Sequence, residues 1–306
     1  MSLPSPLRGI VTPLLTPLKT PDSLDPEGLD RLVDHVIDGG VHGIFILGTS
    51  GEGPSVSASI RRAVVERTCS RAAGRVPVLV GVTDSSLADA VSLANVAAGS
   101  GAAAVVTTGP LYMPVTQAQL LGYIADLAAA SPLPVMLYNM PSHARVFFEV
   151  ETVRLAAQIP GVIGLKDSSA QLLYLRGLQQ ALAGRPDFTL LVGPEEMMPE
   201  CVMFGVHGGV NGGSNLFPKL FVDLYDAAAR GDLATVASLR EAVLALSRAV
   251  YNAVSYGSSY LQGVKCAAEA LGLCAGALAA PYKAFEGAER DAVRRGLADF
   301  RNAYQI

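Results

Sequence analysis

From Leu7 onward, short apolar runs alternate with longer amphipathic segments. Each run is preceded by Gly or Pro and followed by small polar residues, the rhythm of βα units. The runs predict strands over residues 9–15, 43–47, 78–82, 103–107, 135–138, 162–166, 189–192 and 208–210. The first helix is expected from Asp25-Pro26 to Asp38, with Asp as N-cap, Pro at the first helical position and Gly39-Gly40 as the stop. Further helices are expected over 57–73, 86–98, 116–130, 149–158, 170–182, 195–204 and 218–229. Eight such units without a composition break favour a closed (β/α)₈ TIM barrel over an open doubly wound sheet. The open sheet stays as the alternative, although Gly48-Thr49-Ser50-Gly51-Glu52-Gly53 lacks the GxGxxG spacing of its nucleotide fingerprint. After Gly231-Asp232 the pattern is helical only, over 232–253, 259–271 and 287–304. The division expected is a catalytic α/β barrel over 1–230 and a C-terminal helical extension over 231–306, packed on the barrel or supporting subunit contacts.

Composition narrows the partners. Half of the 306 residues are hydrophobic and only 16% are charged, which describes a compact chain with a large core. The net charge of −4 comes without a Lys/Arg cluster, so no nucleic acid is expected and small molecules are the default partner. Cys69, Cys201, Cys266 and Cys274 lack CxxC spacing and read as buried thiols in apolar helical surroundings, in a reducing compartment. His35, His42, His143 and His207 lack ligand spacing, so neither a metal nor another cofactor is expected. No basic leader precedes an apolar core and no window reaches the roughly 18 apolar residues of a membrane span, so a cytoplasmic protein is expected, with no membrane partner.

The chemistry starts at Val162-Ile163-Gly164-Leu165-Lys166-Asp167, an apolar run that ends on an amine. Lysine is strongly hydrated and rarely buried. Desolvation disfavours an ammonium, and a neutral amine attacks a ketone to give a Schiff base. The competing readings are a lysine snorkelling from a strand end or one paired with Asp167. Lys19, Lys219, Lys265 and Lys283 lie in loop or helical contexts, so Lys166 alone ends an apolar strand. In a barrel the active site lies at the carboxyl ends of the strands. There this chain has Gly48-Thr49-Ser50-Gly51-Glu52, then Gly109-Pro110-Leu111-Tyr112, then Tyr138-Asn139-Met140-Pro141, then Lys166. Tyr138, from the neighbouring strand, is either an ordinary rim aromatic or a phenol that moves protons beside Lys166. The Gly48–Gly51 stretch is either a plain tight turn or a small carboxylate site. A ketone that carries a carboxylate is a 2-oxo acid, which points to pyruvate or a pyruvate-containing substrate.

Those three motifs resemble the dihydrodipicolinate synthase and N-acetylneuraminate lyase family of Schiff-base aldolases, over nearly the whole chain. Gly48-Thr49-Ser50-Gly51-Glu52 is similar to its GT[ST]GE or GSTGE, Tyr138-Asn139-Met140-Pro141 to YNxP, and Gly164-Leu165-Lys166-Asp167 to GxK[DE]. The resemblance implies that Lys166 forms the Schiff base and that Tyr138 donates protons, connected through Thr49 to Tyr112. It implies that Ser50 and the backbone at Gly51 and Val210 bind pyruvate. The tyrosine matching Tyr112 reaches in from a neighbouring subunit, so a homodimer or homotetramer is implied. Three departures stand out. The synthases hold the carboxylate of aspartate semialdehyde with an arginine five residues after the YNxP tyrosine, where this chain has His143 and its nearest arginine is Arg145. After strand seven, Gly193-Pro194-Glu195-Glu196 replaces the usual Gly-Asp. The lysine-inhibition contacts fall on Ala58, Arg61 and Leu111. The expected activity is a lyase or aldolase joining or splitting pyruvate and an aldehyde. Alternatives are an aldolase or dehydratase for a 2-oxo-3-deoxy sugar acid or 4-hydroxy-2-oxoglutarate, and a catalytically silent barrel that binds a 2-oxo acid.

Overall fold

A computed structural model describes residues 3–254 and 259–305. The barrel strands are β1 (Gly9–Pro13), β2 (Gly43–Ile46), β3 (Val78–Gly81), β4 (Ala104–Thr107), β5 (Val135–Asn139), β6 (Val162–Asp167), β7 (Thr189–Val192) and β8 (Gly208–Gly209). Every neighbouring pair is parallel, and β8 closes onto β1. The open-sheet alternative is therefore excluded. Strand side chains alternate between two buried layers. Phe45, Leu79, Val106, Met136 and Leu191 fill the barrel interior, while Ile44, Ile46, Val105, Leu137 and Leu190 face the helices. Burial on both faces is why the strands read as continuous apolar runs. At the closure β8 must lie against β1, and a Cβ on Gly208 would stand 1.9 Å from the Gly9 carbonyl oxygen.

The outer helices are α1 (Pro26–Asp38), α2 (Ala58–Ala72), α3 (Leu87–Gly99), α4 (Gln117–Ala130), α5 (Val150–Ala156), α6 (Leu172–Ala181), α7 (Met198–Met203) and α8 (Pro218–Arg230). Three of their starts, those of α1, α3 and α4, carry side-chain caps. Asp25 accepts the Gly28 N–H at 3.1 Å, and Thr116 with Gln119 forms a capping box at α4. Helix α1 buries Leu29, Leu32, Val33 and Val36, the spacing of one helical face.

Three helices follow: α9 (Leu233–Leu246), α10 (Ser259–Ala270) and α11 (Gly287–Tyr304). Helix α9 ends short of the expected 253 because its last turn widens into a π-helix, Ser247–Tyr251. The expected helix over 195–204 opens as a 3₁₀ turn, Glu195–Met197, before α7. A two-stranded ribbon, Leu18–Thr20 with Ser23–Leu24, and a one-turn helix, Pro141–Ala144, carry no periodic signal and were not expected. All four cysteines are free and buried, but Cys274 lies in the turn after α10 rather than in a helix.

Candidate active site

Strands β5 and β6 pair in a register that sets Tyr138 opposite Lys166 and Asn139 opposite Asp167. Opposed residues point to the same face, so the motifs interlock as two layers. In the inner layer Lys166 is only 5% exposed, with its Nζ 4.1 Å from the Tyr138 ring centroid and 5.2 Å from that of Phe45. In the outer layer Asp167 accepts from Asn139 Nδ2 at 2.8 Å and from the Ser169 N–H and hydroxyl at 3.1 and 3.0 Å. Burial raises the Asp167 carboxyl, against the lowering effect of Asn139 and Ser169. Asn139 Oδ1 in turn takes the Phe148 N–H at 3.2 Å. Asp167 is thus committed away from Lys166, and among the described residues no carboxylate pairs with that amine. The reading of Lys166 as paired with Asp167 is overturned by this geometry.

The turn after β2 is wound tightly: Leu47 has φ 58° and Glu52 φ 52°, and a Cβ on Gly53 would lie 2.0 Å from the Leu47 carbonyl oxygen. Its internal bonds, Glu52 N–H to Thr49 O at 3.1 Å and Gly53 N–H to Gly48 O at 3.2 Å, do not use the amides of Ser50 and Gly51. The Gly51 carbonyl accepts from Thr16 Oγ1 at 2.6 Å. The Thr49 hydroxyl lies 3.2 Å from the Tyr138 hydroxyl, joining the turn to β5. On the opposite wall Val210 gives its N–H to Val192 O at 2.8 Å, which leaves only its carbonyl for a ligand.

A cavity of about 640 Å³ opens over these strand ends. Lys166, Tyr138, Thr49, Ser50, Val210 and His143 line it; Gly51, Tyr112 and Arg145 do not. Gly51 is buried, with its N–H outside the turn's own hydrogen bonds, and Arg145 is exposed, with φ 55°, at the end of the one-turn helix. Tyr112 is 87% exposed and stands apart from the cavity of its own chain. His143 Nδ1 lies 2.9 Å from the Ser142 hydroxyl, and desolvation pushes its imidazolium below the usual histidine value. Arg61 is held by Asp84 at 2.7 Å.

Other groups at the site had no role assigned from sequence. Tyr260, from α10, places its hydroxyl 2.9 Å from Ser50 Oγ. Glu195 is buried and accepts the Gly213 N–H at 2.9 Å; burial, reinforced by Glu196, pushes its carboxyl up to about 7. Glu196 accepts from Ser247, so the π-turn reaches the cavity wall. Glu52 pairs with Lys265, which is 0% exposed. A glutamate beside a strand-end turn was the available signal for Glu195, whereas Tyr260 and Lys265 sit in an ordinary helical pattern.

Comparison with known proteins agrees with this architecture. The profile of the dihydrodipicolinate synthetase family matches residues 6–299. A solved structure of dihydrodipicolinate synthase from Bacteroides thetaiotaomicron is 47% identical, superposes with a TM-score of 0.94, and covers 98% of this chain and 100% of its own. YagE of Escherichia coli K12, solved in complex with pyruvate, is 26% identical with a TM-score of 0.90, over 96% of this chain and 98% of its own. A probable 2-dehydro-3-deoxy-D-pentonate aldolase of Escherichia coli is 34% identical over 78% of this chain and 80% of its own. With the barrel, the three strand-end motifs and a profile match along almost its full length, this chain belongs to the dihydrodipicolinate synthetase family of lyases.

Proposed function

We propose that the protein is a class I aldolase in which Lys166 forms a Schiff base with the 2-oxo group of pyruvate, or of a longer 2-oxo acid that releases pyruvate. The observation that carries this reading is a lysine, 5% exposed and with no carboxylate partner among the described residues, whose Nζ lies 4.1 Å from the ring centroid of Tyr138 on the neighbouring strand. The amine attacks C2, water leaves the carbinolamine, and loss of a C3 proton gives an enamine that adds to an aldehyde. Cleavage runs the same steps backwards. Tyr138, hydrogen-bonded to Thr49, is the group placed to move protons in each of them. Ser50 and the Gly51 amide take the carboxylate, with the Val210 carbonyl opposite. Tyr112 serves a neighbouring copy of the chain, in keeping with its exposure and its distance from its own cavity. A silent 2-oxo-acid-binding barrel needs no positioned proton donor, and the Thr49–Tyr138 contact argues against it.

The acceptor is a neutral, hydroxyl-bearing aldehyde rather than aspartate semialdehyde. Lys166 is the one lysine or arginine among the described residues that line the cavity, whose lining also includes Glu195, Glu196 and His143, with the imidazolium of His143 disfavoured by desolvation. A second substrate carboxylate has no arginine fork to meet it there, since Arg145 is outside. The name of the pentonate aldolase points the same way. The test is a panel: release of pyruvate from 2-oxo-3-deoxygluconate, 4-hydroxy-2-oxoglutarate and N-acetylneuraminate, against condensation of pyruvate with aspartate semialdehyde. Cleavage of a neutral-tailed compound is expected, with kcat/KM for aspartate semialdehyde about tenfold to a hundredfold lower, the loss of one charge-assisted hydrogen bond. A value above about 10⁴ M⁻¹s⁻¹ for aspartate semialdehyde, with no sugar acid cleaved, would make the protein a synthase.

A further inference from the structure

Helix α10 grips the turn after β2 at two points, one part-buried and one fully buried. At its N-terminal end the Tyr260 hydroxyl lies 2.9 Å from Ser50 Oγ. Five residues on, Lys265, fully buried, pairs with Glu52 Oε1 and donates to the Ala277 carbonyl at 2.6 Å. The other oxygen of Glu52 accepts the Ala279 N–H at 2.8 Å, so the carboxylate is tied to the C-terminal chain through both oxygens. Glu52 is itself one of the residues held at positive φ, in a region that side chains larger than glycine adopt at a cost. The turn's shape is therefore over-determined from outside the turn, by the part of the chain that follows the barrel.

The tyrosine contact also has a chemical consequence. A serine hydroxyl has one proton, and a carboxylate only accepts. When Ser50 spends that proton on a bound carboxylate, its 2.9 Å contact with Tyr260 persists only with the tyrosine O–H donating to the serine oxygen. Burial, with Glu195 nearby, raises the Tyr260 phenol well above its usual range, so it keeps the proton it must share.

We infer that α10 is a positioning element of the substrate-carboxylate site: Tyr260 turns the Ser50 O–H into the cavity, and the Lys265–Glu52 pair fixes the backbone that presents the Ser50 and Gly51 amides. The inference rests on the proposed role of that turn in binding a 2-oxo acid. It assigns the C-terminal segment a part in substrate affinity beyond its packing.

Calorimetric titration of the full-length protein with pyruvate and with pyruvamide, its uncharged counterpart, tests it. Two variants are used: Tyr260→Phe, which keeps the ring, and the double variant Glu52→Gln/Lys265→Met, which removes the pair without leaving a lone buried charge. Each is expected to raise Kd for pyruvate tenfold or more and to shift Kd for pyruvamide less than threefold. Circular dichroism should leave both variants folded. An unchanged Kd for pyruvate, or equal weakening of both ligands, overturns the inference, because a merely structural role does not distinguish charge. Borohydride trapping of wild type separates this from the Schiff-base reading: binding without trapping refutes that reading, while an unmoved pyruvate Kd refutes this one.

Discussion

Tyr138 and Lys166 meet because residues opposed in a parallel pair share a face, and this was legible from sequence once consecutive strands were placed side by side. A lysine that ends an apolar run is conspicuous for the same reason that it is costly to bury. Tyr260 was not legible. Its partner Ser50 is 210 positions away, and an aromatic near the start of an amphipathic helix is ordinarily core. Arg145, the arginine nearest to the position of the missing carboxylate ligand, does not line the cavity, and spacing alone does not reveal the one-turn helix that ends at it. Tyr138→Phe keeps the ring beside Lys166 and its edge-on contact with Phe45, 6.0 Å between centroids, and loses only the hydroxyl. It is expected to fold normally and to lower kcat by about 10², the scale of a positioned proton donor. Unaltered kcat on the best substrate of the panel would remove Tyr138 from the mechanism.

The barrel strands were legible at the scale of the element because both faces are buried, and the starts of α1, α3 and α4 because Asp25, Ser86 and Thr116 cap them. The irregular pieces were not. The 3₁₀ turn at Glu195 and the π-turn at Ser247 break the period that marks a helix, and both face the cavity, where hydrogen bonds to Gly213 and Glu196 decide the backbone. Glu195 makes this region pH-sensitive. Its folded-state pKa, about 7, is raised above its ordinary 4.5, so its stabilising contribution is complete below that lower value and fades as pH rises through about 7. Glu195→Gln keeps an acceptor for the Gly213 N–H and removes the titration. Thermal melts at pH 5 and pH 8 should show a smaller loss of Tm for this variant than for wild type. An identical loss in both would mean that Glu195 ionises without penalty.

At the scale of the whole molecule, the sequence conveys the barrel but not what completes its rim. Tyr112 and Met113 are exposed side by side, at 87% and 65%, on the loop after β4. If Tyr112 serves a neighbouring copy, Tyr112→Ala and Lys166→Ala chains should each be inactive or nearly so. Mixing them through partial unfolding and reassembly should then restore activity, since a hybrid pair contains one site with both residues. No recovery, despite hybrid formation, would place Tyr112 outside the mechanism. Everything above depends on Lys166 being the amine that joins the substrate. The direct measurement is borohydride reduction in the presence of pyruvate, followed by mass spectrometry of the intact and digested protein. The account predicts one reduced pyruvyl group per chain, located on Lys166 and absent from Lys166→Ala; an adduct that persists in Lys166→Ala, or none in a wild-type protein that turns over 2-oxo acids, would contradict it.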